Sequence, residues 1–170
     1  MPIESEPYRD ALRHFPAGVT IVTVEAGGER HGLTVSAFAS VSPQPPLVVI
    51  AIDQRHKAYE MLEREDAVFA VNVLCEDHLE LSNRFAWVKD EDRFTAGKWA
   101  TAETGAPVLK DALAWLDCTI HSRQRAGSHT LYVGEVQAAA TPRAGCPPLV
   151  YWNRGYRKLH RADDPAGRSS

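Results

Sequence analysis

The sequence contains no Gly-x-Gly-x-x-Gly turn, and Gly27-Gly-Glu-Arg-His-Gly32 has the wrong spacing to stand in for one. The usual fingerprint of a dinucleotide fold is therefore missing. Also missing is Gly-x-x-x-x-Gly-Lys-[Ser/Thr], the phosphate loop of nucleoside triphosphatases. Without Gly-x-Ser-x-Gly there is no nucleophile elbow of a serine hydrolase. Neither His-Glu-x-x-His nor His-x-His occurs. His121 and His129 can face each other across a hairpin, but no cysteine or carboxylate is spaced to complete a site, so no metal is expected. Cysteine is scarce. Cys75, Cys118 and Cys146 are odd in number, far apart and form no Cys-x-x-Cys pair, as in a reduced, cytoplasmic protein. No apolar run approaches the ~20 residues that a membrane span needs. The start, Met1-Pro-Ile-Glu-Ser-Glu6, is acidic and lacks the charged-then-apolar layout of a secretion signal. A cytoplasmic location away from membranes is the expectation. The net charge is −3 and no basic run interleaves with aromatics, which speaks against a nucleic-acid partner. The carboxylate run Asp90-Glu-Asp92 lies in a charged segment and reads as solvated surface.

What the chain does have is alternation. From Leu33 onward the odd positions are apolar (Leu33, Val35, Ala37, Ala39, Val41), while Thr34, Ser36, Ser40 and Ser42 carry hydroxyls around the single ring of Phe38. Period two predicts one β-strand with a core face and a hydroxyl face. Small hydroxyls let a flat ligand approach the backbone closely and still find hydrogen bonds. They suit the wet face of an antiparallel sheet equally well, and the pattern alone leaves both readings open.

Around this strand the chain reads as one domain of many short strands and few helices. Tyr8, Ala11, Leu12 and Phe15 form one face of a short helix, with Ser5 as N-cap and Pro16 as stop. Gly18 to Val24 is rich in β-branched residues and predicts a strand buried on both faces. Gly27-Gly28 is a hairpin turn. Further strands are predicted at Leu47–Ile52 and Val68–Leu74, and helices at His56–Arg64 and around Leu79, Leu81 and Phe85, the latter capped by Asp77. Val88 to Ala106 reads as a long surface excursion. In the next strand Leu116, Cys118 and Ile120 face inward and Asp117, Thr119 and His121 outward. After a turn at Arg123–Ser128 the return strand changes phase at Gly134, the signature of a β-bulge. A short strand, Leu149–Trp152, closes the domain, which is expected to span residues 1–160, with a disordered tail over 161–170. The fold class predicted is mainly β, a closed antiparallel barrel with a few flanking helices.

The missing motifs leave a site built from strand faces and backbone rather than from nucleophilic or metal-binding side chains. That is the profile of a protein whose bound cofactor carries the chemistry. Several segments in order then resemble the short-chain flavin reductases of two-component monooxygenases. They include Tyr8-Arg-Asp-Ala-Leu12, Phe15-Pro-Ala-Gly-Val-Thr20, His31-Gly-Leu-Thr-Val-Ser-Ala-Phe38, Ser40-Val-Ser42 with Pro45-Pro-Leu47, and Phe69-Ala-Val-Asn-Val-Leu74. Later come Arg84-Phe-Ala86, Asp92-Arg-Phe94, Gly127-Ser-His129, Val133-Gly-Glu-Val136 and Pro148-Leu-Val-Tyr151. The resemblance implies an FMN-binding split β-barrel, a homodimer with its flavin site near the subunit interface, and reduction of FMN or FAD by NADH or NADPH. A separate flavin-dependent monooxygenase would receive the reduced flavin.

Carried over by residue, the resemblance places Thr34, Val35, Ser36 and Ala37 along the isoalloxazine ring, with Ser40, Val41 and Ser42 continuing that wall. Asp53, Arg55 and Lys57 stand where the family holds the ribityl chain and phosphate; the bland reading of Arg55 and Lys57 is exposed surface charge. Asn72 either reaches the flavin edge or only bridges strands. His129, in a place where the family pattern is Gly-Asp-His and this chain has Ser128, would lie near the nicotinamide as the catalytic candidate; otherwise it is a surface histidine. Tyr151 and Tyr156 either close over the rings or serve as core or dimer aromatics, as Trp152 and Leu159 do. Two other readings remain: a non-catalytic flavin- or haem-binding module, and an oxidase of the pyridoxamine phosphate type, which would need a basic phosphate cluster that the sequence does not display.

Overall fold

Val19 and Ile21 belong to one apolar cluster and Val22 and Val24 to another, so a single strand is buried on both faces, as its β-branched sequence predicts. This strand, β2 (Thr20–Ala26), follows a short helix α1 (Ser5–Leu12) and a two-residue strand β1 (Ala17–Gly18) in a computed structural model that describes residues 3–89 and 92–159. Gly27 and Gly28, at φ 56° and 81°, turn the chain back into β3 (Glu29–Val35). That double positive-φ turn matches the twist of a two-residue hairpin and favours glycine at both positions. Next come β4 (Phe38–Pro43), β5 (Pro46–Asp53), α2 (Lys57–Leu62) and β6 (Val68–Val73). A 3₁₀ turn over Glu76–His78 leads into α3 (Leu79–Trp87), and a second at Arg93–Thr95 into β7 (Trp99–Thr101) and β8 (Pro107–Leu109). The long hairpin β9 (Ala114–Ala126) and β10 (His129–Ala140) follows, then β11 (Val150–Trp152) and β12 (Gly155–Arg157).

Seven strands form one antiparallel sheet in the order β3-β2-β6-β9-β10-β5-β4. Its two edges, β3 and β4, are consecutive in the chain and joined by Ser36 and Ala37 alone. Six strand spacings of a flat sheet would separate the edges by about 29 Å. Three Cα steps allow at most about 11 Å. The sheet therefore curls enough to bring its edges near each other at the Ser36-Ala37 link, and Val22, Val24, Leu33, Ile50, Ile52, Phe69, Val71 and Tyr132 fill the inside, with Ala58, Met61 and Leu62 of α2 packed against them.

Several sequence expectations are corrected by this geometry. The stretch from Leu33 to Val41 is two strands, because the link at Ser36-Ala37 carries the chain from one edge of the sheet to the other. Its phase inverts there: Leu33 and Val35 are buried, but Ala37, Ala39 and Val41 are exposed, while Phe38 turns in against the core. No residue of α1 is buried; its N-cap is Glu4, and Tyr8, Leu12 and Phe15 stand out from the surface. Asp77 caps nothing in α3, since a 3₁₀ turn capped by Cys75 intervenes, and it pairs instead with Arg143 at 2.9 Å. Val88–Ala106 is no surface excursion throughout, for Phe94 is buried and Trp99 packs beside it with Leu109. Asp117 does not face out. It is fully buried, accepting hydrogen bonds from the Thr104 backbone at 2.8 Å and from the Thr104 hydroxyl. The turn of the long hairpin is only Gly127-Ser128, with His129 opposite Ala126, so His121 and His129 do not meet; His121 lies 3.9 Å from Glu135. The bulge expected at Gly134 is present, as a register shift between Val133 and Gly134. Asp90, Glu91 and the 161–170 tail lie outside the described residues.

Candidate active site

A cleft of about 700 Å³ opens where β3, the start of α2, the end of α3 and the β11–β12 hairpin converge. Its floor is the far end of β3. Thr34 donates its hydroxyl to the Ser82 carbonyl at 2.6 Å, which ties the strand to α3, and Ser36 follows as the strand ends. One wall is aromatic: Tyr151 and Tyr156 meet edge to face at 5.3 Å. Tyr156 is anchored by its hydroxyl, which lies 2.9 Å from Ser82 Oγ and donates to Asn83 Oδ1 at 3.2 Å. Tyr151 remains exposed.

The opposite wall is basic, formed by Arg55, His56 and Lys57 with His31, Lys89 and Arg93. Arg55 is oriented by Asp53 behind it, through contacts of 2.6 to 3.2 Å to both carboxylate oxygens. Those hydrogen bonds from the Arg55 side chain and backbone hold the Asp53 carboxyl well below the usual carboxylate range. Lys57 has no hydrogen-bond or ion-pair partner among the described residues. His31 is half-buried, and loss of hydration, with Arg93, Lys57 and His56 nearby, lowers its pKa to about 4. Near neutral pH it is therefore an uncharged imidazole among cations.

Thr34, Ser36, Arg55, Lys57, Tyr151 and Tyr156 thus line one cleft. Val35 lies beneath the floor with its side chain in the core, and Ala37 belongs to the exposed link. Ser40, Val41 and Ser42 run along the edge strand and do not line the cleft, because the chain has crossed to the other edge by then. Asn72 is completely buried: its side chain donates to the Ile21 carbonyl at 3.0 Å and accepts from Leu109 N–H at 2.7 Å, so it bridges strands. His129 stands opposite Asp53 in the β10–β5 pairing, with Nδ1 3.0 Å from Ser128 Oγ, outside the cleft and next to the carboxylate that aims Arg55. Sequence reasoning missed His31, Arg93, Phe85 and Trp87. For His31 a signal existed: it shares the odd, inward phase of Leu33 and Val35, where an imidazole needs a reason.

A concave, half-apolar site of this size, with hydroxyls on its floor and cations on one wall, suits a planar ligand that carries phosphate. Residues 12–160 match the family described as the flavin reductase like domain. The chain belongs to that family. Among its relatives, the actinorhodin polyketide dimerase of Streptomyces coelicolor is 40% identical over 152 residues, covering 89% of this chain and 84% of that protein. The FMN reductase (NADH) RutF of Agrobacterium fabrum is 37% identical over 153 residues, covering 89% and 87%. Among solved structures, the NADH:FAD oxidoreductase SgcE6 of Streptomyces globisporus C-1027, in complex with NAD and FAD fragments, superposes with a TM-score of 0.85 at 32% identity, over 92% of this chain and 93% of that one. No helix among the described residues is long and apolar enough to cross a membrane.

Proposed function

We propose that this protein is an NAD(P)H-dependent flavin reductase of the FMN-binding split-barrel type, using FMN or FAD and handing reduced flavin to a separate monooxygenase. The observation that carries the reading is the convergence of a hydroxyl floor, a basic wall and an aromatic wall in one cleft of a chain that belongs to the flavin reductase-like family. The cleft fits the group: Thr34 and Ser36 border its flat floor, and Arg55 and Lys57 supply positive charge for a phosphate. A bound flavin supplies the hydride acceptor, and the nicotinamide supplies the hydride.

This chain's residues then have only to position two flat rings and exclude water, for no strong acid or base is needed. Backbone groups of Thr34–Ala37 face the flavin edge and stabilise charge that gathers there on reduction. Arg55, aimed by Asp53, and Lys57 hold the phosphate end. Tyr151 covers the open side, where the nicotinamide enters, and His129 acts from the rim on that donor. Domain limits of 1–160, a homodimer and a cytoplasmic location complete the proposal.

The test is steady-state oxidation of NADH and of NADPH with FMN, FAD or riboflavin added in turn. Turnover that rises with added flavin is expected. Tight flavin or haem binding without turnover would instead establish a non-catalytic binding module.

A further inference from the structure

Cys75 and Cys146 stand about 70 residues apart in the chain, yet the fold brings them to one place. Cys75 follows β6 and opens the 3₁₀ turn that leads into α3, and Cys146 ends the exposed turn that precedes β11. Three ties press these two turns together. Cys75 pairs with Pro148 in an antiparallel bridge. The bridge is flanked by Glu76 N–H donating to the Pro147 carbonyl and Leu149 N–H donating to the Leu74 carbonyl, both at 2.9 Å. On the far side Arg143 holds both carboxylate oxygens of Asp77, at 3.0 and 2.9 Å, and Cys146 N–H turns back onto the Arg143 carbonyl at 2.9 Å. Cys146 is thus enclosed between Arg143 and Pro147, each of them bonded to the Cys75 turn.

The two thiols meet at hydrogen-bond range. Burial, with that contact added to it, pushes the Cys75 thiol up to about 12. Cys75 is fully buried and stays protonated near neutral pH, whereas Cys146 is part-exposed and its S–H reaches only the neighbouring Pro147 carbonyl, at 3.6 Å. A metal is the other use of such a cluster, since the Cys75 sulfur, an Asp77 carboxylate oxygen and a His78 ring nitrogen lie within 4.8 Å of one another. Two of those ligands are already taken: Asp77 by Arg143, and His78 Nδ1 by Cys75 N–H at 3.2 Å. The Arg143 guanidinium would also repel an ion held by Asp77. What remains is one accessible thiol beside one buried thiol.

We propose that Cys75 and Cys146 are an oxidation site, which a peroxide joins in an intrachain disulfide that latches the root of α3 to the root of β11. In the first step the Cys146 sulfur takes an oxygen from hydrogen peroxide. The S–O bond forms, the O–O bond breaks, and the thiol proton leaves on water. In the second the Cys75 sulfur attacks that sulfenic acid. The S–S bond forms, the S–O bond breaks, and the hydroxide leaves with the Cys75 proton as a second water. Two thiols give up one electron each and the peroxide takes both. Reduced flavin set free in air supplies this oxidant, because dioxygen accepts its two electrons and two protons and becomes hydrogen peroxide. That source rests on the flavin reductase reading; the thiol chemistry does not. The latch sits behind the cleft: α3 holds Thr34 and Tyr156 through Ser82, and β11 carries Tyr151. Closing so long a loop removes freedom chiefly from the unfolded chain.

The test uses the full chain, reduced, desalted and treated with a small excess of hydrogen peroxide. Peptide mapping without reductant should recover one cross-linked pair that carries Cys75 and Cys146, and dithiothreitol should reverse it. The melting temperature should rise by about 5 °C or more on oxidation and return on reduction. Cys146→Ser, at a part-exposed position, should melt with the reduced wild type and gain nothing from peroxide. During NADH oxidation with FMN in air the bond should form with no peroxide added, and catalase should prevent it. If NADH is not oxidised, the flavin reductase reading fails, while added peroxide still decides the pair. Cys146 oxidised without a cross-link, a bond between chains, or a bond that leaves the melting temperature unchanged would overturn the latch. So would zinc that the wild type retains through gel filtration and Cys146→Ser loses, which would give the cluster to a metal.

Discussion

His31 lies on the phase of β3 that also carries Leu33 and Val35, and half-burial there, with Arg93, Lys57 and His56 around it, moves its pKa from 6.5 to about 4. In the unfolded chain the imidazole takes a proton near the upper value, and in the folded chain only near the lower. Between them the unfolded state binds more protons, so this residue's contribution is present above 6.5 and is lost as the pH falls towards about 4. His31→Gln cannot titrate. Urea unfolding midpoints should therefore drop less in the variant than in the wild type between about pH 7 and about pH 5. Parallel drops would assign the acid sensitivity to other groups. His129 supplies a different kind of test, because it sits beside Asp53, outside the cleft lining. His129→Ala should raise KM for the nicotinamide donor several-fold and leave KM for flavin within about twofold. Equal changes in both would remove it from the donor side.

At the scale of the element, the long hairpin and the broken hydroxyl strand show what can be read before folding and what cannot. Gly134 was legible as a phase change within β10, and the reason it must be glycine lies across the sheet: a Cβ there would stand 2.3 Å from Phe69 Cζ and 3.0 Å from Cys118 Cβ. Phe69 is fully buried and cannot swing away. Gly134→Ala should therefore destabilise the fold by about 1–3 kcal/mol, the usual range for overpacking, measurable by denaturant unfolding. A change below ~0.5 kcal/mol would mean that Phe69 relocates freely. Local alternation and turn glycines gave the hairpins and the doubly buried β2, because those patterns depend on neighbours in sequence. Ser36 and Ala37 carry no such signal. Their role as a crossing between opposite edges depends on the curl of the whole sheet, so the alternation read from Leu33 does not carry on through Ser40, Val41 and Ser42, which belong to the next strand. The basic wall was half legible for a similar reason: Arg55 and Lys57 are close in sequence, whereas Arg93, at the start of a 3₁₀ turn, meets Gly32 only through the tertiary fold.

At the scale of the molecule, the curled sheet covers its interior but leaves one outer face uncovered. Tyr8, Leu12 and Phe15 project from α1 and its following turn, with Phe15 73% exposed, and no residue of the helix is buried. The chain just past the helix is nevertheless tied down: Asn153 N–H donates to the Arg13 carbonyl at 2.8 Å, and the Trp152 indole to the His14 carbonyl at 3.0 Å. An amphipathic helix anchored at its C-terminal end with its apolar side to water is the arrangement expected of an interface residue set rather than of a loose terminus. The same region reaches the site, since Ser36 and Tyr151 line both the main cleft and a smaller one bounded by Leu12, Phe15 and Arg154. A second copy of the chain seated on this face would therefore press on the aromatic wall of the cleft. The double variant Leu12→Glu, Phe15→Glu should sediment at the mass of one chain where the wild type sediments at two. Its flavin affinity should fall with dissociation, because Tyr151 loses its support, while its circular dichroism keeps the sheet signature. A wild type that sediments as a single chain at working concentration would rule out the dimer, and a monomeric variant with undiminished flavin affinity would separate the interface from the site.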